Sequence, residues 1–204
     1  SLIRKESPRE DWTDLNEIVT EVSRLLEPEA RQQGVAVQLR LHPKLAKMNA
    51  DLVRPSGAPP FMLLGHQGEQ EIISGWEKKY GVQMFTSGQN HVRALRTLGI
   101  KKFVGASYFP EKMNAIFARY FTEAGFQVLA MEGIDAPFAD VPKVPPEQIF
   151  EFMKSIAAKH KDTDGIYMLG SAWKTLDIID RLEKATGLPV IHAGPARCWE
   201  TQLR

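Results

Sequence analysis

From residue 51 onward, short apolar runs with the character of β-strands alternate with stretches whose apolar residues recur every three or four positions. That alternation is the sequence form of βα units laid on a parallel sheet, so the class is α/β. The runs at 51–54, 82–86, 101–106, 127–131, 165–169 and 189–192 are the expected strands. Most are apolar on both faces, as a strand covered by helices on either side must be.

Start and stop signals frame the intervening helices. Pro110 and Glu111 open one, Met113, Ile116, Phe117, Tyr120 and Phe121 supply its inward face, and Gly125 closes it before the next strand. Pro146 and Glu147 open another, with Ile149, Phe150, Met153, Ile156 and Ala157 on one side. A third spans about 175–186, with Leu176, Ile179 and Leu182 expected inward. The first fifty residues read differently. Asp14 and Glu17 make a capping box before an apolar stripe of Leu15, Ile18, Val19, Val22, Leu25 and Leu26, and residues 35–41 alternate as a strand. A segment of 1–49 followed by a domain of 50–204 is therefore expected, with the Pro-rich stretches 55–60 and 137–146 as loops within that domain.

Charge and cysteine usage narrow the function classes. With 26 basic against 25 acidic residues, a formal charge of +1, no bulk field draws this chain to nucleic acid or an anionic membrane. A small molecule is the expected partner, and self-association stays open. A single cysteine, Cys198, excludes an internal disulfide and a thiolate metal cluster. It is expected as a packed core thiol, because free cysteine usually behaves as a small apolar group. No run reaches the roughly 20 apolar residues that span a bilayer, and the opening residues carry no secretory apolar stretch, so the cytoplasm is the expected location.

Two strand ends attract attention as places for chemistry. After 51–54 come Pro55, Ser56, Gly57, Ala58, Pro59 and Pro60, and after 165–169 come Gly170, Ser171, Ala172 and Trp173. Open α/β sheets bind ligands at the carboxyl ends of their strands, and glycine there lets main-chain N–H groups approach an anion. The bland alternative is two tight structural turns, since Gly-Ser pairs are common punctuation. His66, Glu69 and Glu71 follow Gly65 as a polar helix start without the i, i+4 spacing of a metal pair. Arg93 with Arg96, and Arg181 with Lys184, are expected on solvated faces.

Phe85-Thr86-Ser87, the run Asn90 to Leu95 and Leu98-Gly99 resemble the aspartate/glutamate racemase superfamily, where a Thr-Ser strand end leads into a helix finishing near Leu-Gly. Tyr108-Phe109-Pro110 with Asn114, Gly125-Phe126, Thr175-Leu176-Asp177, Glu183, Gly187, Pro189-Val190 and Trp199 continue the resemblance in order across 49–204. Within the superfamily the likeness is greatest to the arylmalonate decarboxylase and maleate cis-trans isomerase branch. The resemblance implies a Rossmann-like parallel sheet flanked by helices in two pseudo-symmetric halves, the first strand-helix unit being missing or replaced. It also implies cofactor-independent and metal-independent decarboxylation or isomerisation of a small mono- or dicarboxylate. An enediolate would be held in a cradle of main-chain N–H and hydroxyl groups, with cysteines moving the protons.

This chain departs from that pattern where it matters most. Counting along the motifs puts Gly57 and Gly170 where the two thiols belong, and Ala58 and Pro59 where hydroxyl donors belong. Pro59 has no N–H to offer. Near the supposed cleft, the binding candidates are Ser56, Gly57, Ala58, Thr86, Ser87, Gly170 and Ser171, and the catalytic candidates are Tyr108, from the resemblance, and His192, from its place at the end of the last strand. Phe109 fits the spacing to Asn114 as well as Tyr108 does. His192 titrates near neutrality, although a lone strand-end histidine is more often a structural hydrogen-bonder. The rival to an enzyme is a carboxylate-binding or vestigial module that keeps the cradle without the thiols. Separately, residues 14–19, 26–34 and 49–51 resemble the opening of a sensor histidine kinase ATP-binding domain, with its lid motifs absent downstream. A natural fusion, a recombined gene or an artificial junction near Asn49 would each produce that.

Overall fold

The computed structural model describes residues 17, 20, 21, 23, 24, 27, 51–55, 57–134, 136–170 and 172–204, save the Phe138 side chain. These residues belong to two compact units, one of Arg54–Ser74 with Phe85–Arg204, the other of Ser1–Val53 with Gly75–Met84. In chain order the elements are β1 (Leu52–Val53), α1 (Pro59–Met62), α2 (Gly65–Tyr80), β2 (Gln83–Met84), α3 (Ser87–Thr97) and β3 (Lys102–Ser107). There follow α4 (Glu111–Glu123), β4 (Gln127–Gly133), α5 (Pro146–Lys159), β5 (Gly165–Leu169), α6 (Ile179–Thr186), β6 (Val190–His192) and α7 (Ala193–Leu203).

The larger unit is built on a parallel sheet of order β4-β3-β5-β6. Strand residues point alternately to its two faces, which is why the strands read as unbroken apolar runs. Phe103, Tyr167, Leu169 and Ile191 enter one core with residues of α3, α4 and α7. Val104, Ile166, Met168 and Val190 enter the other, against α5 and α6. All six expected strands are present, and β5 matches its expected bounds residue for residue. Pro110 caps α4, and Pro146 occupies the first turn of α5, where a missing N–H costs nothing.

In the smaller unit β1 lies parallel to β2, pairing Leu52 with Gln83 and Val53 with Met84. The Met84 N–H donates to the Glu77 carboxylate at 2.8 Å. Residues 17, 20, 21, 23, 24 and 27 are helical, and the Glu21 carboxylate accepts bonds from Lys79 at 2.9 Å and from the Tyr80 hydroxyl at 3.0 Å. The apolar stripe before Glu27, the strand at 35–41 and most of the kinase-like stretch lie outside the described residues.

Several expectations are corrected. Leu176 is 65% exposed, because a short 3-10 turn over Leu176–Ile178 turns Ile178 into the core in its place. Pro59 and Pro60 begin a short helix rather than sit in a loop, both falling in its first turn. A helix also follows residue 192, where none is expected from Gly194 and Pro195; Pro195 again lies in the first turn, and the His192 side chain caps it. Arg93 is not simply solvated but pairs with the buried Glu200 carboxylate, which also accepts from Asn90 at 3.2 Å and Arg204 at 3.0 Å. Cys198 is exposed on α7, so it is not a core thiol. A disulfide reagent is accordingly expected to titrate one thiol in the native protein as fast as in urea; protection until unfolding would contradict this placement.

Candidate active site

A cavity of about 310 Å³ lies at the carboxyl edge of the larger sheet. From β3 the chain crosses through α4 to β4 on one side, whereas β5 pairs with β3 on the other. This reversal of strand order opens a crevice between the ends of β3 and β5, the place where α/β sheets hold ligands. Tyr108 and Phe109, just beyond β3, and Leu169 and Gly170, closing β5, line the cavity. Gly57, Ala58 and Pro59 line it too, and Ser87 and His91 enter from the first turns of α3. Arg54 and Arg197 complete the wall.

The turn after β3 is fixed by a ring of hydrogen bonds. The Ser107 hydroxyl donates to Asn114 Oδ1 at 2.6 Å, the Asn114 amide donates to the Phe109 carbonyl at 2.9 Å, and the Phe109 N–H donates to Ser107 Oγ at 2.9 Å. Tyr108 lies over Phe109 and edge-on to Trp173, with ring centroids 4.7 and 5.6 Å away. Burial pushes its phenol above the usual pKa, against the N–H of Ala172, which donates to it. Gly170 has φ +132°, and a Cβ there would fall into the Tyr108 ring, overlapping Cε1 and lying 2.7 Å from Cδ1. The phenol ring therefore fills the space that a side chain at 170 would need. Gly57, at φ +97°, is open by contrast: a Cβ would meet only Pro60, at 3.5 Å.

The α3 wall rests on a buried carboxylate. Thr86 is the N-cap of α3 and forms a capping box with Gln89. Its hydroxyl donates to Glu69 Oε1 at 2.5 Å, and the Tyr120 hydroxyl donates to Oε2. Glu69 is 0% exposed, which corrects its reading as part of a polar helix start. Burial raises its pKa, against the two hydroxyl donors and the charge of Arg93. Ser87, the next residue, accepts a bond from Arg54 Nη1 at 3.0 Å. His91 is 1% exposed, and its Nδ1 meets the Tyr167 hydroxyl at 2.7 Å. Burial, then the charges of His192, Arg54 and Arg197, lower its pKa to about 3, so the ring is neutral at physiological pH.

Of the residues singled out from the sequence, the cavity gathers Gly57, Ala58, Ser87, Tyr108 and Gly170. Thr86 is buried behind it as a helix cap. His192 is not brought into it. The Gly194 N–H donates to His192 Nδ1 at 3.0 Å, which leaves the ring hydrogen on Nε2, bonded to Thr175 Oγ1 at 2.9 Å. That ring faces a separate cavity of about 200 Å³ with Trp199 and Leu98. Ser56 and Ser171 lie outside the described residues. Arg54, His91 and Arg197 were not anticipated as site residues. Arg54 ends the first expected strand, three residues before Gly57, and that position was a usable signal; Arg197 required knowing that α7 exists. Among the described residues no group of three or more metal-ligating side chains occurs, and no helix is long and apolar enough to cross a membrane.

A family model described as arylmalonate decarboxylase matches residues 33–204. The arylmalonate decarboxylase of Bordetella bronchiseptica is 22% identical over 162 residues, which cover 77% of this chain and 66% of that protein. This chain thus spans about two thirds of the length of that relative. An unliganded arylmalonate decarboxylase structure superposes with a TM-score of 0.71 at 16% identity, over 92% of this chain and 75% of the other. The maleate isomerase of Pseudomonas putida S16, solved with maleate, superposes with a TM-score of 0.64 at 17% identity, over 92% and 70%. At such identities the structural likeness shows the fold.

Proposed function

This chain belongs to the arylmalonate decarboxylase family, and from that premise we propose that its cavity binds a small carboxylate and runs cofactor-independent decarboxylation or isomerisation through an enediolate. The observation that carries the reading is convergence: Gly57, Gly170, Tyr108 and Ser87, from four separate stretches of chain, line one crevice at the sheet's reversal point. Gly170 stands at the position that the family resemblance assigns to the decarboxylase thiol, Gly57 is compatible with the decarboxylase pattern, and Cys198 is not in the lining. Tyr108 takes the role of acid. In decarboxylation the bond from the α-carbon to the leaving carboxylate breaks, CO2 departs, and the electron pair spreads over the retained carboxylate as an enediolate. Tyr108 gives its phenolic proton to the α-carbon, and water restores it. A phenol held protonated by burial suits a strongly basic enediolate.

The absence of a thiol from this lining favours one second reading, a binding module without turnover. Incubation with phenylmalonate, followed by CO2 release, and with maleate, followed by fumarate, separates the two. Turnover is expected in the parent and a loss of at least about a hundredfold in Tyr108→Phe, with ligand affinity within a few-fold. Undiminished turnover in Tyr108→Phe removes the acid role. Saturable binding with no turnover of either compound establishes the binding module.

A further inference from the structure

Among the described residues of the larger unit, Arg93 and Arg204 pair with Glu200, Arg119 with Glu123 and Arg181 with Glu147, while Arg96, away from the cavity, donates to the Ala124 carbonyl. Arg54 and Arg197 are different. Both are half-buried in the wall of the cavity, and among the described residues neither has a carboxylate partner. Among the described residues, the side chain bonded to Arg54 is the neutral hydroxyl of Ser87. Among the described residues no Asp or Glu lines the cavity, and His91, which does, is neutral.

We infer that Arg54 and Arg197 form a paired guanidinium subsite that selects a ligand carrying two negative charges, a small dicarboxylate. The inference rests on the carboxylate-binding reading above and deepens it. Two like charges sharing a partly desolvated cavity repel each other, and burial together with Arg197 already weakens the hold of Arg54 on its proton. Protein interiors leave such charges uncompensated only at a cost. A dianion removes it, because each guanidinium gains a planar, bidentate acceptor and the cavity becomes neutral. Phe109, Leu169 and Pro59 offer apolar wall to the carbon skeleton, which inorganic phosphate would leave unused. About 310 Å³ is at the small end of ligand cavities and fits a compact diacid. The pair also places full positive charge where Ala58 and Pro59 provide no hydroxyl.

Titration calorimetry with malonate, propionate and inorganic phosphate tests this, since malonate and propionate have equal carbon counts and differ by one carboxylate. The parent is expected to bind malonate about tenfold or more tighter than propionate, the worth of one charge-assisted pair, and tighter than phosphate. Arg54→Met and Arg197→Met should each bring malonate to within about threefold of propionate. Arg197→Lys, which keeps the charge and loses the fork, should retain part of the preference. Thermal melts of each variant establish that it is folded. Equal affinity for malonate and propionate in the parent, or an unchanged preference in both folded methionine variants, overturns the subsite and leaves the carboxylate cavity standing. Tighter binding of phosphate than malonate overturns the assignment to a dicarboxylate. A parent that binds none of the three anions overturns the cavity reading as well.

Discussion

Lowering the pH from 7 to 4.5 is expected to cost this protein about 5 kcal/mol of stability through two histidines. His91 and His192 are buried as neutral rings, with pKa values lowered to about 3 and about 4 from an ordinary 6.5, in each case first by burial. A base with a depressed folded pKa contributes its stability above the unfolded value and loses it as the pH falls toward the folded one. At pH 4.5 the His91 ring is still neutral in the native state and the His192 ring mostly so, while in the unfolded chain both are charged. Two pH units below 6.5, at about 1.36 kcal/mol per unit, give about 2.7 kcal/mol for each histidine. Glu69 runs the other way: burial raises its pKa, so its contribution grows as the pH falls and returns part of the loss. For a chain of this size the expected fall in melting temperature is on the order of 10 to 20 °C. His91→Gln should roughly halve the slope. Melting temperatures within about 2 °C at the two pH values would show that these rings are not held neutral by burial.

The second large effect is expected at Gly170. Gly170→Ala forces a side chain onto a backbone with φ +132°, and its Cβ would overlap the Tyr108 ring. Strain of that kind costs about 1–3 kcal/mol, and the overlap adds about as much again unless the ring moves. Removing the ring isolates the second part. In Tyr108→Ala the clash vanishes while the backbone strain stays, so the double variant should be more stable than the two single effects predict, by about 1–2 kcal/mol. Urea midpoints of the four proteins measure this. Additive effects, or a Gly170→Ala protein as stable as the parent, would show that Tyr108 does not occupy the space at 170. A thiol grafted at 170 meets the same obstacle, so restoring the thiol of the family pattern requires moving the phenol first.

The strands of the larger unit were legible because a buried parallel strand is apolar on both faces, and nothing but a long apolar helix imitates that signal. β5 shows it most plainly, with each of its five residues buried. The helix after residue 192 was illegible for the opposite reason. Gly194 and Pro195 are breakers by composition, yet both fall in the first turn, where a breaker breaks nothing. The two glycines of the cavity were found from their strand-end position. The arginines were not, because a lone arginine carries no periodicity and its partner comes from an element 143 positions further along the chain. Glu69 is the sharpest miss. Its neighbours in sequence are polar, and its partners Thr86 and Tyr120 are distant in the chain, so no local pattern marks it as buried.

The turn between β3 and α4 has a further consequence. Tyr108 packs against the core on one face of the sheet and Phe109 against the core on the other, while Ser107, Asn114 and the Phe109 backbone close a hydrogen-bonded ring around them. Neighbouring side chains anchored in opposite cores leave this turn almost no alternative rotamers to lose when a ligand arrives. Ordering a loop and its side chains is among the main penalties of association, at about 0.5–1.5 kcal/mol per immobilised side chain, and here folding has already met it. Binding at this edge of the sheet should therefore carry a small conformational-entropy term, with the backbone amides of 107–109 equally slow to exchange hydrogen in the free and ligand-bound protein.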